Sequence, residues 1–157
     1  MFKLNMKQTP SEQIGAFYNM DNNNGILVLF EKQGNHYQKV YEKDMVVEGI
    51  KIIGILEYNQ ILVVTGGGGG TGIWETYHYV VRYTPKGYIE VWEGIHTKRF
   101  QNPLTKERIE QHGMLDFDSG GKDLYYALLP SDPTLVSTFQ HFKYNEQKMK
   151  YELHKTY

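Results

Sequence analysis

A chain of 157 residues, 40% of them hydrophobic, is long enough for one domain with a real core and too apolar to be intrinsically disordered. Its 17 basic and 18 acidic residues leave a net charge of -1, so no long-range field selects nucleic acid or an anionic membrane as the main partner. Cysteine is absent, which excludes disulfides, thiolate metal sites and cysteine nucleophiles.

Thirteen Tyr, seven Phe and two Trp favour the half-buried surface of a pleated sheet. The opening MFKLNMKQTPSEQ has no apolar stretch of signal-peptide type and reads as an extension, residues 1–13, before a single domain over 14–157. No apolar run is long enough for a membrane-spanning helix. The compartment stays open, because an exported protein whose signal peptide is missing from this chain would read the same.

In chain order, strand-like runs rich in β-branched and aromatic residues fall near 14–19, 25–32, 36–43, 46–57, 60–65, 74–84, 87–94, 113–117, 123–129, 134–144 and 147–156. Alternation is clearest in YHYVVRY, where Tyr77, Tyr79, Val81 and Tyr83 share one face and His78, Val80 and Arg82 the other. In KMKYELHK it predicts Met149, Tyr151 and Leu153 facing a core. The links EKQGNHY, YTPKGY and YNEQKM have the turn chemistry of hairpins. Only NPLTKERIEQHG, residues 102–113, reads as a short helical turn, with Thr105 as N-cap and Gly113 as stop.

Three hairpins align: LVLFEKQGNHYQKVYE, YVVRYTPKGYIEVWEG and TFQHFKYNEQKMKYELHK. Each follows a shorter segment of similar form, giving three meander repeats at about 14–45, 46–96 and 112–157, of which the first lacks a strand. The expected fold is all-β and antiparallel. Propeller-like meanders lead; an up-and-down, lipocalin-like barrel and a β-trefoil are the alternatives.

The segments MLDFDSGGKDLYYALL and IGILEYNQILVVTGGGGGTGIWETYHYVVRYTPKGYIEVWEG resemble the blades of FG-GAP- or VCBS-type β-propeller repeats. The resemblance implies a loop-displaying interaction domain and a calcium-binding first turn of the form Asp-x-Asp-x-Asp-Gly. Here Asp116, Asp118 and Asp123 would be the calcium ligands, with Gly120 where a third oxygen belongs. The other copies offer Asn19, Asp21 and Asn23, or Glu57 and Asn59. Three blades are too few to close a ring, so the resemblance implies an incomplete array or one completed by oligomerisation. Without the resemblance, DFDSGGKD reads as a hairpin turn whose Asp and Ser side chains cap backbone N–H groups.

The run GGGGGTG at 66–72 precedes a strand rather than a helix and carries no Lys, so it is no phosphate loop. It reads as a passage between two strands; the alternative is a ligand-facing rim in which Gly68, Gly70 and Trp74 join the aromatics Tyr88 and Trp92. Alternation puts Ile89 and Val91 on one face and Tyr88, Glu90 and Trp92 on the other. Aromatic rings beside carboxylates suit a protein or carbohydrate ligand, and equally suit packing between sheets.

None of the six histidines has zinc-type spacing, although His78 and His141 occupy comparable hairpin strands. No serine sits in a nucleophile elbow, and nothing selects a catalytic pair from Glu75, Glu90, Glu93 and Asp116. No catalytic residue is assigned. The leading function is therefore a non-catalytic binding or protein-interaction domain with a capacity to self-associate. A barrel holding a small apolar ligand comes second and a hydrolase third.

Overall fold

The computed structural model describes the chain except residues 10, 55–58, 71, 102, 103 and 133, so the Glu57 reading lies outside the described residues. Among the described residues, twelve strands account for the regular structure: β1 (Phe2–Leu4), β2 (Gln13–Asn19), β3 (Gly25–Gln33), β4 (His36–Asp44), β5 (Val46–Ile53), β6 (Ile61–Gly70), β7 (Ile73–Thr84), β8 (Gly87–Gln101), β9 (Arg108–Phe117), β10 (Asp123–Pro130), β11 (Thr138–Asn145) and β12 (Lys150–Thr156). Strands β1–β4 form one sheet and β5–β12 a second, each in sequential order with every neighbour antiparallel. The all-β antiparallel meander is as expected. No closed sheet is seen among the described residues, which removes the support for a barrel.

The core explains why ILVV, Ile61–Val64, has no polar alternation. Leu62 and Val64 pack with Leu27, Leu29 and Met6 in one apolar cluster; Ile61 and Val63 pack with Val91, Leu124 and Tyr126 in another. Strand β7 divides in the same way, Val81 into the first cluster and Val80 into the second. A continuous apolar run is the signature of a strand buried on both faces. Removing each such side chain from water stabilises by about 1.5–3 kcal/mol. The strands β5–β8 are thus a middle layer between β1–β4 and β9–β12.

Four local expectations change. Residues 2–4 pair with β2, and Leu4 and Met6 are buried, so the opening segment is part of the first sheet and of the core rather than an extension before the domain. Residues 104–113 contain no helix: β9 begins at Arg108 and pairs with the far end of β8, from Thr97↔His112 to Gln101↔Arg108. Leu153 is 55% exposed, although Tyr151 is buried as its alternation requires.

The glycine run is the fourth. Gly66–Gly70 continue β6 as ladder residues, paired from Gly66↔Tyr77 to Gly70↔Ile73 with β7, while Gly66 and Gly67 also pair with Val47 and Val46 of β5. A Cβ on Gly66 would run into the carbonyl oxygen of Val46, and one on Gly67 into that of Glu75; Gly70 faces open space. The run is a strand in close backbone contact, not a link between strands.

A β-bulge recurs in the three long hairpins. The register shifts at Leu29/Phe30, Val80/Val81 and His141/Phe142, and Phe30, Val81 and Phe142 each lie three residues before the last paired residue, Gln33, Thr84 and Asn145. The extra residue falls in the returning strand, where it turns the following side chain to the other face. For that reason Trp92 lies with Val91 and Ile89 in the second cluster, while Tyr88 lies in the first.

Candidate interaction surfaces

Strands β9, β10 and β11 carry large side chains on both faces. Leu115, Phe117, Leu124, Tyr126, Leu128 and Phe142 turn inward to the second cluster. The alternate positions, Met114, Asp116, Tyr125, Ala127, Phe139 and His141, are cross-strand neighbours on the outward face. Met114 is 61% exposed, Tyr125 45% and Phe139 48%. They border a groove of about 710 Å³ that Tyr157 and Lys51 also line.

The opposite end of the layered structure repeats the situation. In β2 and β3, Gln13, Gly15, Leu27, Leu29 and Glu31 are buried, while Ile14, Ala16, Ile26, Val28 and Phe30 alternate with them and are partly exposed. Ile14↔Phe30, Ala16↔Val28 and Tyr18↔Ile26 are paired neighbours, so these side chains make a continuous apolar outer face. Lys3 of β1, paired with Ile14, and Tyr37 of β4, 41% exposed and bonded to Glu12, stand at its border.

The expected calcium ligands do other work. Asp118 accepts backbone hydrogen bonds from Gly120 (3.0 Å) and Asp123 (2.8 Å). Burial pushes its carboxyl up, but the N–H groups of Asp123, Gly120 and Lys122 outweigh this and hold it below the usual range. Asp123 binds His141, Oδ1 to Nε2 at 2.5 Å, and Asp116 lies exposed in the outer groove. Among the described residues no three His, Asp or Glu side chains gather as a metal ion would need.

The expected rim residues separate as well. Gly70 and Trp74 do share a groove of about 320 Å³, with Gly72, Phe100, Arg99 and Arg108. Gly68 lies against Asn23. Tyr88 is buried in the first cluster, its hydroxyl 3.5 Å from Glu31. Trp92 packs edge-on against Tyr126 (5.2 Å) and Phe142 (5.6 Å) in the second. Tyr88 and Trp92 are packing residues on opposite faces of one strand.

Two histidine constellations were not legible in the sequence. Tyr125 stacks on the His141 ring at 4.8 Å and His154 meets it edge-on at 5.1 Å, so the Asp123–His141 pair is bordered by two rings. His78 lies between Thr65 (Nδ1 to Oγ1, 2.8 Å), the Gly113 carbonyl (Nε2 to O, 3.2 Å) and His96 (Nε2 to Nδ1, 3.0 Å). The carbonyl can only accept, so Nε2 carries the proton and Nδ1 accepts from Thr65. Burial, chiefly, lowers the His78 pKa to about 4, with His96 and Lys51 acting the same way against the Gly113 carbonyl. The ring is neutral at pH 7 and ties β7 to β9. His78 and His141 are not equivalent: they lie six and four residues before Thr84 and Asn145.

No helix among the described residues is long and apolar enough to cross a membrane. No protein family model matches the chain, and neither a curated protein nor a solved structure is significantly similar to it.

Proposed function

We propose that this chain is a non-catalytic protein-interaction domain, built as a propeller-like array of three four-stranded meanders, β1–β4, β5–β8 and β9–β12. The observation that carries the reading is the pair of apolar faces left outward at the two ends, Ile14/Val28/Phe30 on one and Met114/Tyr125/Phe139 on the other. Contiguous exposed apolar surface of this kind marks interaction sites. The repeated hairpin bulge supports treating the three units as copies of one design, in which an outward face is a docking face without its neighbour.

Carbene footprinting of the dilute chain tests it. Met114, Tyr125, Phe139, Val28 and Phe30 are expected to label more heavily than Leu29 and Val80, their counterparts inside the stack. Equal labelling of the two groups would overturn the reading.

A further inference from the structure

We infer that the outer face of β9–β12 docks on the outer face of β1–β4 of a second copy of the chain, so that two copies close a ring of six units. This rests on the reading above and names the partner of those faces.

The three units align by their hairpin turns. Counting back from Gln33, Thr84 and Asn145, the second residue is Glu31, Arg82 and Lys143. Counting forward from the first paired residue of the returning strand, His36, Gly87 and Lys150, the next residue is a tyrosine each time: Tyr37, Tyr88 and Tyr151. These positions meet across both internal junctions. Glu31 of the first unit reaches the Tyr88 hydroxyl of the second at 3.5 Å. Arg82 of the second reaches the Tyr151 hydroxyl of the third at 3.2 Å.

The apolar positions obey the same rule. Leu29 and Val80 face the next unit, and His141 occupies the corresponding place on the outer face of the third. Val81 and Phe142 face the preceding unit, and Phe30 holds that place on the outer face of the first. The chain therefore carries both halves of a third junction, one at each end: Lys143, on the strand face that also carries Phe139 and His141, with Asp123 and Glu152 as cross-strand neighbours, and Tyr37, opposite Lys32 on the face that carries Phe30.

A contact between two different patches is head-to-tail, and it either closes or polymerises. Propeller rings hold about four to eight blades. One copy supplies three units and three copies would supply nine, so closure selects two.

The absence of cysteine gives a clean test. Light scattering on the full chain should give twice the chain mass. Chains bearing Tyr37→Cys and Lys143→Cys separately, mixed and treated with a short bifunctional maleimide, should form a covalent dimer that neither forms alone. Arg82→Cys with Tyr151→Cys in one chain should cross-link internally and calibrates the reach. Phe30→Asp and Phe139→Asp should each yield a folded monomer.

A monomeric wild type overturns the inference. So does a dimer in which Tyr37→Cys cross-links to itself, since that is a symmetric contact of one face. If the chain is monomeric while Met114 and Phe139 still footprint heavily, the second copy fails and the interaction domain stands. If those residues resist labelling in the monomer, both fail.

Discussion

Alanine at Gly66 and at Gly70 should have opposite consequences although both glycines sit in one run. At Gly66 the new methyl meets the Val46 carbonyl oxygen and the Met45 side chain, and relief requires β5 to move off β6 at Val46↔Gly67 and Val47↔Gly66. Weakening two ladder hydrogen bonds costs about 1–3 kcal/mol at roughly 0.5–1.5 each. Overpacking a close contact costs about 1–3 kcal/mol by itself, and the stiffer unfolded chain returns about 0.4–1. The net expectation is a loss centred near about 3 kcal/mol, or roughly 6–12 °C in Tm for a domain of this size. At Gly70 nothing lies within 4 Å of the added Cβ and φ is not positive, so alanine should stabilise by up to about 1 kcal/mol. Urea unfolding at one fixed protein concentration, with unchanged m, reads the difference. If the two variants agree to within about 0.5 kcal/mol, the run is a spacer and the ladder argument is wrong.

Three further outcomes are expected. The His78 pKa is lower folded than unfolded, so the unfolded chain takes up more protons; stability is fully present above pH 6.5 and falls as pH drops toward about 4, and His78→Gln should flatten that part of the pH–stability curve. Arg82→Ala removes the donor to the Tyr151 hydroxyl, leaves that hydroxyl as the remaining side-chain donor to the Gly121 carbonyl and uncovers the Tyr144 ring, which should cost about 2 kcal/mol in urea unfolding. Asp118 accepts from Gly120 through Oδ2 and from Asp123 through Oδ1, so Asp118→Asn keeps one acceptor, sets its NH2 against the other N–H and should cost about 1 kcal/mol, whereas Asp118→Ala loses both acceptors and should cost about 2 kcal/mol. A Ca²⁺-induced rise in Tm that Asp118→Asn abolishes would instead place an ion at that turn.

Most strands were legible because turn chemistry brackets them and Tyr77–Tyr83 alternates without interruption. What escaped did so for definable reasons. Phe2–Leu4 is too short to show a period, and Gly66–Gly70 have no side chains with which to show one. The charged ends HTKRFQ and RIEQH hide the arms through which β8 meets β9. A bulge at Val91 shifts the face of Trp92 by one residue, which alternation cannot foresee. The outer faces were hidden differently: β3 and β7 are both apolar on two sides, so Phe30 and Val81 look alike in sequence and differ only in whether a layer of strands precedes theirs. Nor does spacing disclose that Asp123 meets His141 rather than Asp118, because the pairing depends on β10 lying beside β11.

Because each strand pairs with its neighbours in the chain, loop closure between partners spans only a turn's length at most steps. Contact order is thereby kept low for an all-β protein, and folding should be correspondingly fast. A growing chain can complete β1–β4 before β9 exists, and each finished meander then offers a template face on which the following one condenses, so that assembly proceeds like a zipper along the sequence.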